Sequence, residues 1–343
     1  MIILGDYNID ELKAIMVNLN EPSFRAKQLF TAIAEGKNIS EITNIPESLK
    51  LKLLDYVATG VKIREKKISH DDGTIKYLFE LFDGNIIEGV LMNYKHGNTL
   101  CLSTQIGCRM NCAFCASGLN GLIRNLSAGE MLGQVVVANR DIGGNITQRE
   151  ITNIVLMGSG EPLDNYDNTV KFLKLVISSD GINIGPRHIS LSTCGLVDKI
   201  MKFTDEGLAV NLTISLHSPF DEMRTKLMPI NKAYNIEAVM KAARHYFDVT
   251  GRRVIIEYAL IDGVNDSDEA AKELVRIVRG FPCHINLIKL NYVKEKNLKG
   301  SKKVKDFLKY LEDNKVSATI RRTMGGDIEG ACGQLRRRYL DSE

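Results

Sequence analysis

From Thr99 to the region of Lys315, runs of β-branched and aliphatic residues alternate with amphipathic stretches, and few folds accept that order. Strands are expected near 99–106, 152–158, 188–193, 209–216, 253–260 and 284–290. Helices are expected near 127–140, 167–179, 197–206, 234–248, 268–279 and 302–314, with a late strand near 316–321 before a glycine-rich tail. Strands separated by helices pair in parallel, because each crossover returns the chain to the same end of the sheet. The expected class is therefore α/β, with a parallel (β/α) barrel or partial barrel as the core, over 99–343. In such folds ligands gather on the loops at the carboxyl ends of the strands.

Residues 1–60 read as a small helical accessory domain. Leu12, Ile15, Met16 and Leu19 recur at helical spacing. A second helix after Pro22 would bury Ala26, Leu29, Phe30 and Ile33, and a third is expected within 38–57, with Pro46 near its start. Residues 61–98 alternate in strand fashion around the turn Asp83-Gly84-Asn85, as a β-hairpin extension leading into the core. No run approaches the roughly 18 apolar residues of a membrane span. The start has neither a basic region nor a long apolar stretch, so a cytoplasmic protein with no membrane association is expected. Seven cysteines then read as ligands, reactive thiols or core residues rather than as a disulfide framework. The net charge of +3 is uninformative, but its distribution is not. Lys294, Lys296, Lys299, Lys302, Lys303, Lys305 and Lys309 cluster, followed by Arg321, Arg322 and the run 336–338. Such a surface is either a solvated basic face or a phosphate-contacting one.

The first βα loop holds Cys108, Cys112 and Cys115 at spacing C-x₃-C-x₂-C. Structural zinc requires four closed ligands, whereas three thiolates leave one iron of a 4Fe–4S cluster open. An open iron can chelate the amino and carboxylate groups of S-adenosylmethionine (SAM), and the spacing resembles that of the radical SAM superfamily. Phe114 would pack near the adenine. A zinc knuckle borrowing Cys101 or a distant cysteine is the bland alternative. After the second strand, Gly158-Ser159-Gly160-Glu161-Pro162 forms a bare-backbone turn whose carbonyls, with Glu161, could accept from the SAM ammonium. Ser192, Ser215, Leu216, His217 and Asn291 stand at later strand ends and are the remaining SAM-binding candidates. Cys332 lies in a glycine-flanked segment and Cys101 precedes the cluster motif. Cys194 and Cys283 read as buried small hydrophobes.

Across nearly its whole length the chain resembles the radical SAM adenine-C2 methyltransferases that act on 23S rRNA and tRNA. The likeness rests on Asn20-Glu21-Pro22 with Arg25-x-Lys27-Gln28, on Ile87-Glu88-Gly89-Val90, and on Cys101-x-Ser103-x-Gln105-x-Gly107-Cys108. It continues through the Gly158–Pro162 turn, Ser215-Leu216-His217, Pro229-Ile230-Asn231, Gly263-Val264-Asn265-Asp266 and Ala331-Cys332-Gly333-Gln334-Leu335. Ser159 stands where the family tends to carry Met.

The resemblance implies two SAM molecules per turnover, one donating a methyl to Cys332 and one cleaved at the cluster. The methylene radical derived from the Cys332 methyl then adds to C2, Glu88 accepts the proton, and Cys101 resolves the adduct through a Cys101–Cys332 disulfide. The electron-poor C2 carbon cannot itself attack a methyl group, whereas a thiolate can. The targets implied are an adenosine of the peptidyl-transferase centre and the adenosine 3′ of the anticodon, with a flavodoxin-like reductant and a monomeric enzyme. Two other readings stay open: C8 methylation of the same ribosomal adenosine, against which Pro162 argues, and a non-catalytic metal-containing RNA-binding module.

Overall fold

The computed structural model describes residues 1–335 apart from Tyr292, Lys294 and Cys332. A short strand β1 (Ile2–Ile3) leads into α1 (Ile9–Asn18), α2 (Arg25–Ala34) and α3 (Glu47–Lys52), and β2 (Tyr56–Val57) returns to pair in parallel with β1. Asn8 and Glu11 cap α1 reciprocally, each side chain accepting from the other's backbone N–H. The expected face of α2 is buried. The third helix is much shorter than expected. Pro46 sits at its N-cap, and the segment before it makes only a single turn at Ile39–Glu41. Leu4, Leu12, Leu29 and Leu49 from this region belong to the same hydrophobic core as the strands and helices that follow.

The next four strands, β3 (Val61–Ile68), β4 (Ile75–Leu81), β5 (Ile86–Tyr94) and β6 (Gly97–Cys101), form an antiparallel meander. The turn at 83–85 is where the sequence places it, with Gly84 at φ +81°. The extension is thus three strands continuous with the main sheet. The strand expected over 99–106 is split. β6 ends at Cys101, and β7 (Gln105–Gly107) pairs separately with β8 (Leu122–Asn125).

Helix and strand then alternate: α4 (Ala128–Asp141), β9 (Ile151–Leu156), α5 (Tyr166–Ile177), β10 (Ile189–Thr193), α6 (Val197–Asp205) and β11 (Asn211–Ser215). Two helices follow, α7 (Asp221–Leu227) and α8 (Ile236–Thr250), then β12 (Val254–Leu260), α9 (Asp268–Val278), β13 (Cys283–Lys289), α10 (Val304–Asp313) and β14 (Ala318–Ile320). Helix α7 has no counterpart in the sequence-based expectation.

One ten-stranded sheet results, in the order β14-β13-β12-β11-β10-β9-β6-β5-β4-β3, with β6 and β9–β14 mutually parallel. Its curvature follows from one contact. In a flat sheet β14 and β9 would lie about 24 Å apart, at roughly 4.8 Å per strand. Yet Nη1 of Arg321, just past β14, is 3.3 Å from Sδ of Met157, just past β9. The parallel strands therefore roll into a partial barrel. Leu191, Leu212, Ile214, Ile256 and Leu287 face outward into the core shared with the helices. The alternate positions Ser190, Ser192, Thr213, Ser215 and Glu257 face inward, giving a polar interior. Beyond β14 the chain crosses to β5 and β6, where Met324 and Leu335 pack on Val90, Met92 and Cys101.

Candidate active site

The three motif cysteines stand on a loop that glycine makes possible. Gly107 has φ +77°, and a Cβ there would lie 1.9 Å from the Gly121 carbonyl oxygen. Cys108 N–H donates to that same oxygen at 3.0 Å, so the loop closes on its own base. Further ties fix its course. Ala113 N–H donates to Leu227 O at 2.8 Å, and Ala116 N–H donates to Gly333 O at 2.9 Å. Asp164 accepts from Gln105 Nε2 at 2.9 Å and is ion-paired with Arg109. Cys108, Cys112 and Cys115 thereby line one cavity of about 170 Å³ at the carboxyl ends of the parallel strands.

Burial pushes the Cys108 thiol up to about 12 and raises Cys112 as well, reinforced by the neighbouring sulfurs. Three thiolates here need a positive centre to hold them. Among the described residues no three His, Cys, Asp or Glu side chains converge on a single-ion site. Cys194 shares the cavity wall, but burial and the adjacent Glu161 carboxylate, with which its side chain is hydrogen-bonded, keep it a protonated thiol. A sulfur-only set of three fits a 4Fe–4S cluster with one open iron.

The glycines of the second loop answer first to the chain beneath them. A Cβ on Gly158 would meet Leu102 O at 2.5 Å, and one on Gly160 (φ +110°) would meet Thr104 Oγ1 at 2.6 Å. Their absence of side chain lets this loop seat on residues 102–105, and it leaves backbone facing the cavity. Glu161 is buried. Its Oε2 accepts from Cys194 N–H at 2.8 Å, its Oε1 from Leu163 N–H at 3.0 Å, and its own N–H donates to Gln105 Oε1 at 2.9 Å. Glu161 thus splices the ends of β7, β9 and β10 as well as lining the cavity, and burial raises its carboxyl above the usual range.

Ser192, Ser215, His217 and Asn291 also line this cavity, whereas the Leu216 side chain is turned into the core. His217 adopts φ +54°, and its Nδ1 accepts from Ala259 N–H at 2.9 Å, which places the proton on Nε2. Phe114 meets its ring edge-on at 4.7 Å, so the aromatic of the cysteine loop does reach the cavity. Burial, aided by the Arg224 guanidinium, pushes His217 down to about 3. The unfolded chain binds a proton below pH ~6.5 that the native state refuses, so stability falls as pH drops through that range. Nitrogen-detected NMR should show His217 as the Nε2–H tautomer without titration between about pH 5.5 and 8; a transition near 6.5 would contradict the assignment.

A second cavity adjoins the first and shares Met157, Ile288, Asn291 and Arg321 with it. Cys101, Val90 and Ala331 line it. Glu88 is on the same face of β5 as Val90 and is buried against Lys76 Nζ at 2.6 Å. Cys332 lies outside the described residues. Its neighbours border both spaces, Ala331 the cavity with Cys101 and Gly333 the cavity with the three motif thiols.

Three further residues shape the site. Arg224 of α7 is fully buried and donates to Cys194 O at 2.7 Å, Ser215 O and Leu216 O at 3.2 Å, Tyr234 O at 3.3 Å and Asn231 Oδ1 at 2.7 Å. Asn265 Nδ2 donates to His217 O and Ala259 O, both at 2.7 Å. Asn231 and Asn265 lie in motifs the sequence singles out; Arg224 has no such signal.

Comparison with known proteins agrees with this geometry. The family model described as the radical SAM superfamily matches residues 102–275. A probable dual-specificity RNA methyltransferase RlmN from Thermoanaerobacter sp. (strain X514) is 52% identical over 98% of both chains. One of the same description from Clostridioides difficile (strain 630) is 48% identical over 98% of both. The crystal structure of a radical SAM methyltransferase from Sphaerobacter thermophilus superposes with a TM-score of 0.94 at 40% identity, covering 98% of this chain and all of that one.

Proposed function

Because this chain belongs to the radical SAM superfamily and, within it, to the RlmN-type RNA methyltransferases, we propose that it methylates C2 of adenosine through a methylated Cys332 and a resolving Cys101. The substrates are 23S rRNA, at the peptidyl-transferase centre, and tRNA, at the adenosine following the anticodon on its 3′ side. The observation that carries this reading is the convergence of two distant pieces of chain, 101–115 and the residues around position 332. Cys101, the Cys108–Cys115 loop and the residues flanking Cys332 border two adjoining cavities.

Cys108, Cys112 and Cys115 hold the cluster. Gly160, Glu161, Ser192, Ser215, His217 and Asn291 hold SAM, with Leu216 fixing the strand end between its two neighbours. When bound, cluster and SAM supply a hydrogen-atom abstractor by one-electron reduction of the sulfonium, and two SAM molecules are consumed per turnover. The protein's own part is thiol and carboxylate chemistry. Cys332 as thiolate carries the methyl carbon. Glu88, ion-paired with Lys76, accepts the proton leaving C2. The adduct's odd electron would be taken up by the bound redox centre. Cys101 then attacks the Cys332 sulfur, and the electron pair of the broken sulfur–carbon bond passes into the adenine ring. The carbon takes up a proton to become the methyl group, and a disulfide remains for external thiols to reduce. C2 is out of reach in a stacked helix, so the base enters unstacked. The exposed Phe24 ring with Arg25 4.7 Å above it, and the lysines around α10, provide stacking and phosphate contacts. A flavodoxin-like electron donor, a monomeric working state and a cytoplasmic location complete the proposal.

Nucleoside mass spectrometry after an oxygen-free reaction with SAM, reductant and RNA tests the position of methylation. The expected product is 2-methyladenosine, and 8-methyladenosine would overturn the assignment.

A further inference from the structure

The segment that carries Cys332 is tied down on both sides, and the ties on its N-terminal side are made by residues that no motif of the sequence marks. Asp327 Oδ1 accepts from Ser69 Oγ–H at 2.7 Å, and Asp327 Oδ2 accepts from His70 N–H at 3.0 Å. Asp72 Oδ2 accepts from Gly325 N–H at 3.0 Å, while its Oδ1 accepts from Thr74 N–H at 3.0 Å. Ser69 is buried at the centre of this knot, its Oγ also accepting from Asp71 and Asp72 N–H at 3.2 and 3.3 Å. Lys76 Nζ, already paired with Glu88, donates to Glu329 O at 3.2 Å. On the other side of Cys332 the anchors belong to the cysteine loop, where Ala116 N–H donates to Gly333 O and Ser117 Oγ–H donates to Leu335 O, both at 2.9 Å.

We propose that Asp72 and Asp327 are positioning residues for the reaction, forming a clamp between the β3–β4 turn and the C-terminal strap 323–331 that holds the chain leading into Cys332 beside the two cavities. Four hydrogen bonds, each to a carboxylate or from an ammonium, join pieces of chain some 250 residues apart. Both carboxylates are held below the usual range by these donors and remain charged at neutral pH. The strap's own packing is light: Met324 and Ala331 are its buried apolar side chains among the described residues. Polar anchors rather than a hydrophobic face therefore set its course. With these anchors released, the ties that remain to the cysteine loop include those at Gly333 O and Leu335 O.

This inference rests on the methyl-carrying role of Cys332, and its test separates the two. In the cluster-loaded protein carrying Asp327→Ala with Asp72→Ala, hydrogen exchange measured by mass spectrometry should quicken at least ~10-fold over peptides covering 323–331. It should stay unchanged over α4 and β9–β13. Iron content and the dissociation constant for S-adenosylhomocysteine should match the wild type. Methylation of Cys332 in the absence of RNA, followed by peptide mass, should slow by more than ~10-fold. Exchange that stays at the wild-type rate overturns the clamp, as does fast exchange with undiminished methylation. If the wild-type Cys332 peptide never gains a methyl group, the methyl-carrier role fails; the exchange result then still decides whether the clamp exists. Ser69→Ala, which removes one hydroxyl, should give the same pattern at smaller amplitude, a check against misfolding of the double variant.

Discussion

Replacing Cys101 with alanine should convert the enzyme from a catalyst into a trap, with RNA accumulating covalently on Cys332 and multiple turnover falling by more than ~10³-fold. The reasoning is one of bond inventory. Once carbon from the Cys332 methyl has joined C2, the base is tethered by a carbon–sulfur bond, and a second sulfur is needed to take the Cys332 sulfur away. Cys101 is the thiol at the right place, since it lines the cavity that Ala331 also borders. Cys194 and Cys283 cannot substitute. Cys194 is hydrogen-bonded to Glu161 in the other cavity, and Cys283 lies at the start of β13, at the opposite end of the strands. A denaturing gel with labelled RNA should show a shifted protein–RNA band for Cys101→Ala, and none for Cys101→Ala combined with Cys332→Ala. Full turnover by the single variant, with no adduct, would remove Cys101 from the mechanism.

The second large effect is on stability. Arg224→Met should cost about 3–5 kcal/mol, because five buried acceptors lose their donor at once. Arg224 satisfies four backbone carbonyls and the Asn231 amide oxygen, and these join the ends of β10 and β11 to the turn that follows α7. Methionine fills much of the volume and strands those acceptors, each left unpaired at about 1–3 kcal/mol before relaxation. Lysine should rescue little, because one ammonium cannot fork to five acceptors. For a chain of this size the melting temperature should drop by roughly 10 °C. SAM affinity should weaken in step, since Ser192 and Ser215 stand on the two strands that lose their tie. A drop below about 2 °C in a thermal melt would contradict this account of Arg224.

Much of this was legible in the sequence because periodicity reports which side of an element meets the core. The β-α succession after Thr99 gave the partial barrel, and the residues at its strand ends do meet around one cavity. What periodicity cannot report is where a strand leaves its sheet. The run from Thr99 to Ile106 reads as one strand, yet the chain turns over β9 after Cys101. There Leu102 N–H donates to Val155 O, and Ser103 is held by Gln134 and the Glu88 carbonyl. Helix α7 was missed because it is short, and because Arg224 is a residue type almost never buried unpaired. The burial of Glu88 was not legible, since the partner that buries it, Lys76, comes from the neighbouring strand and the strap above them from the far end of the chain. The family resemblance supplied the roles of Cys101 and Cys332, which spacing alone could not.

The most direct test of the central claim is the nucleoside content of RNA treated without oxygen by the wild-type protein and by Cys332→Ala, each with its iron content and SAM binding verified. The account predicts 2-methyladenosine from the first and none from the second. 2-Methyladenosine formed by Cys332→Ala at the wild-type rate would contradict it.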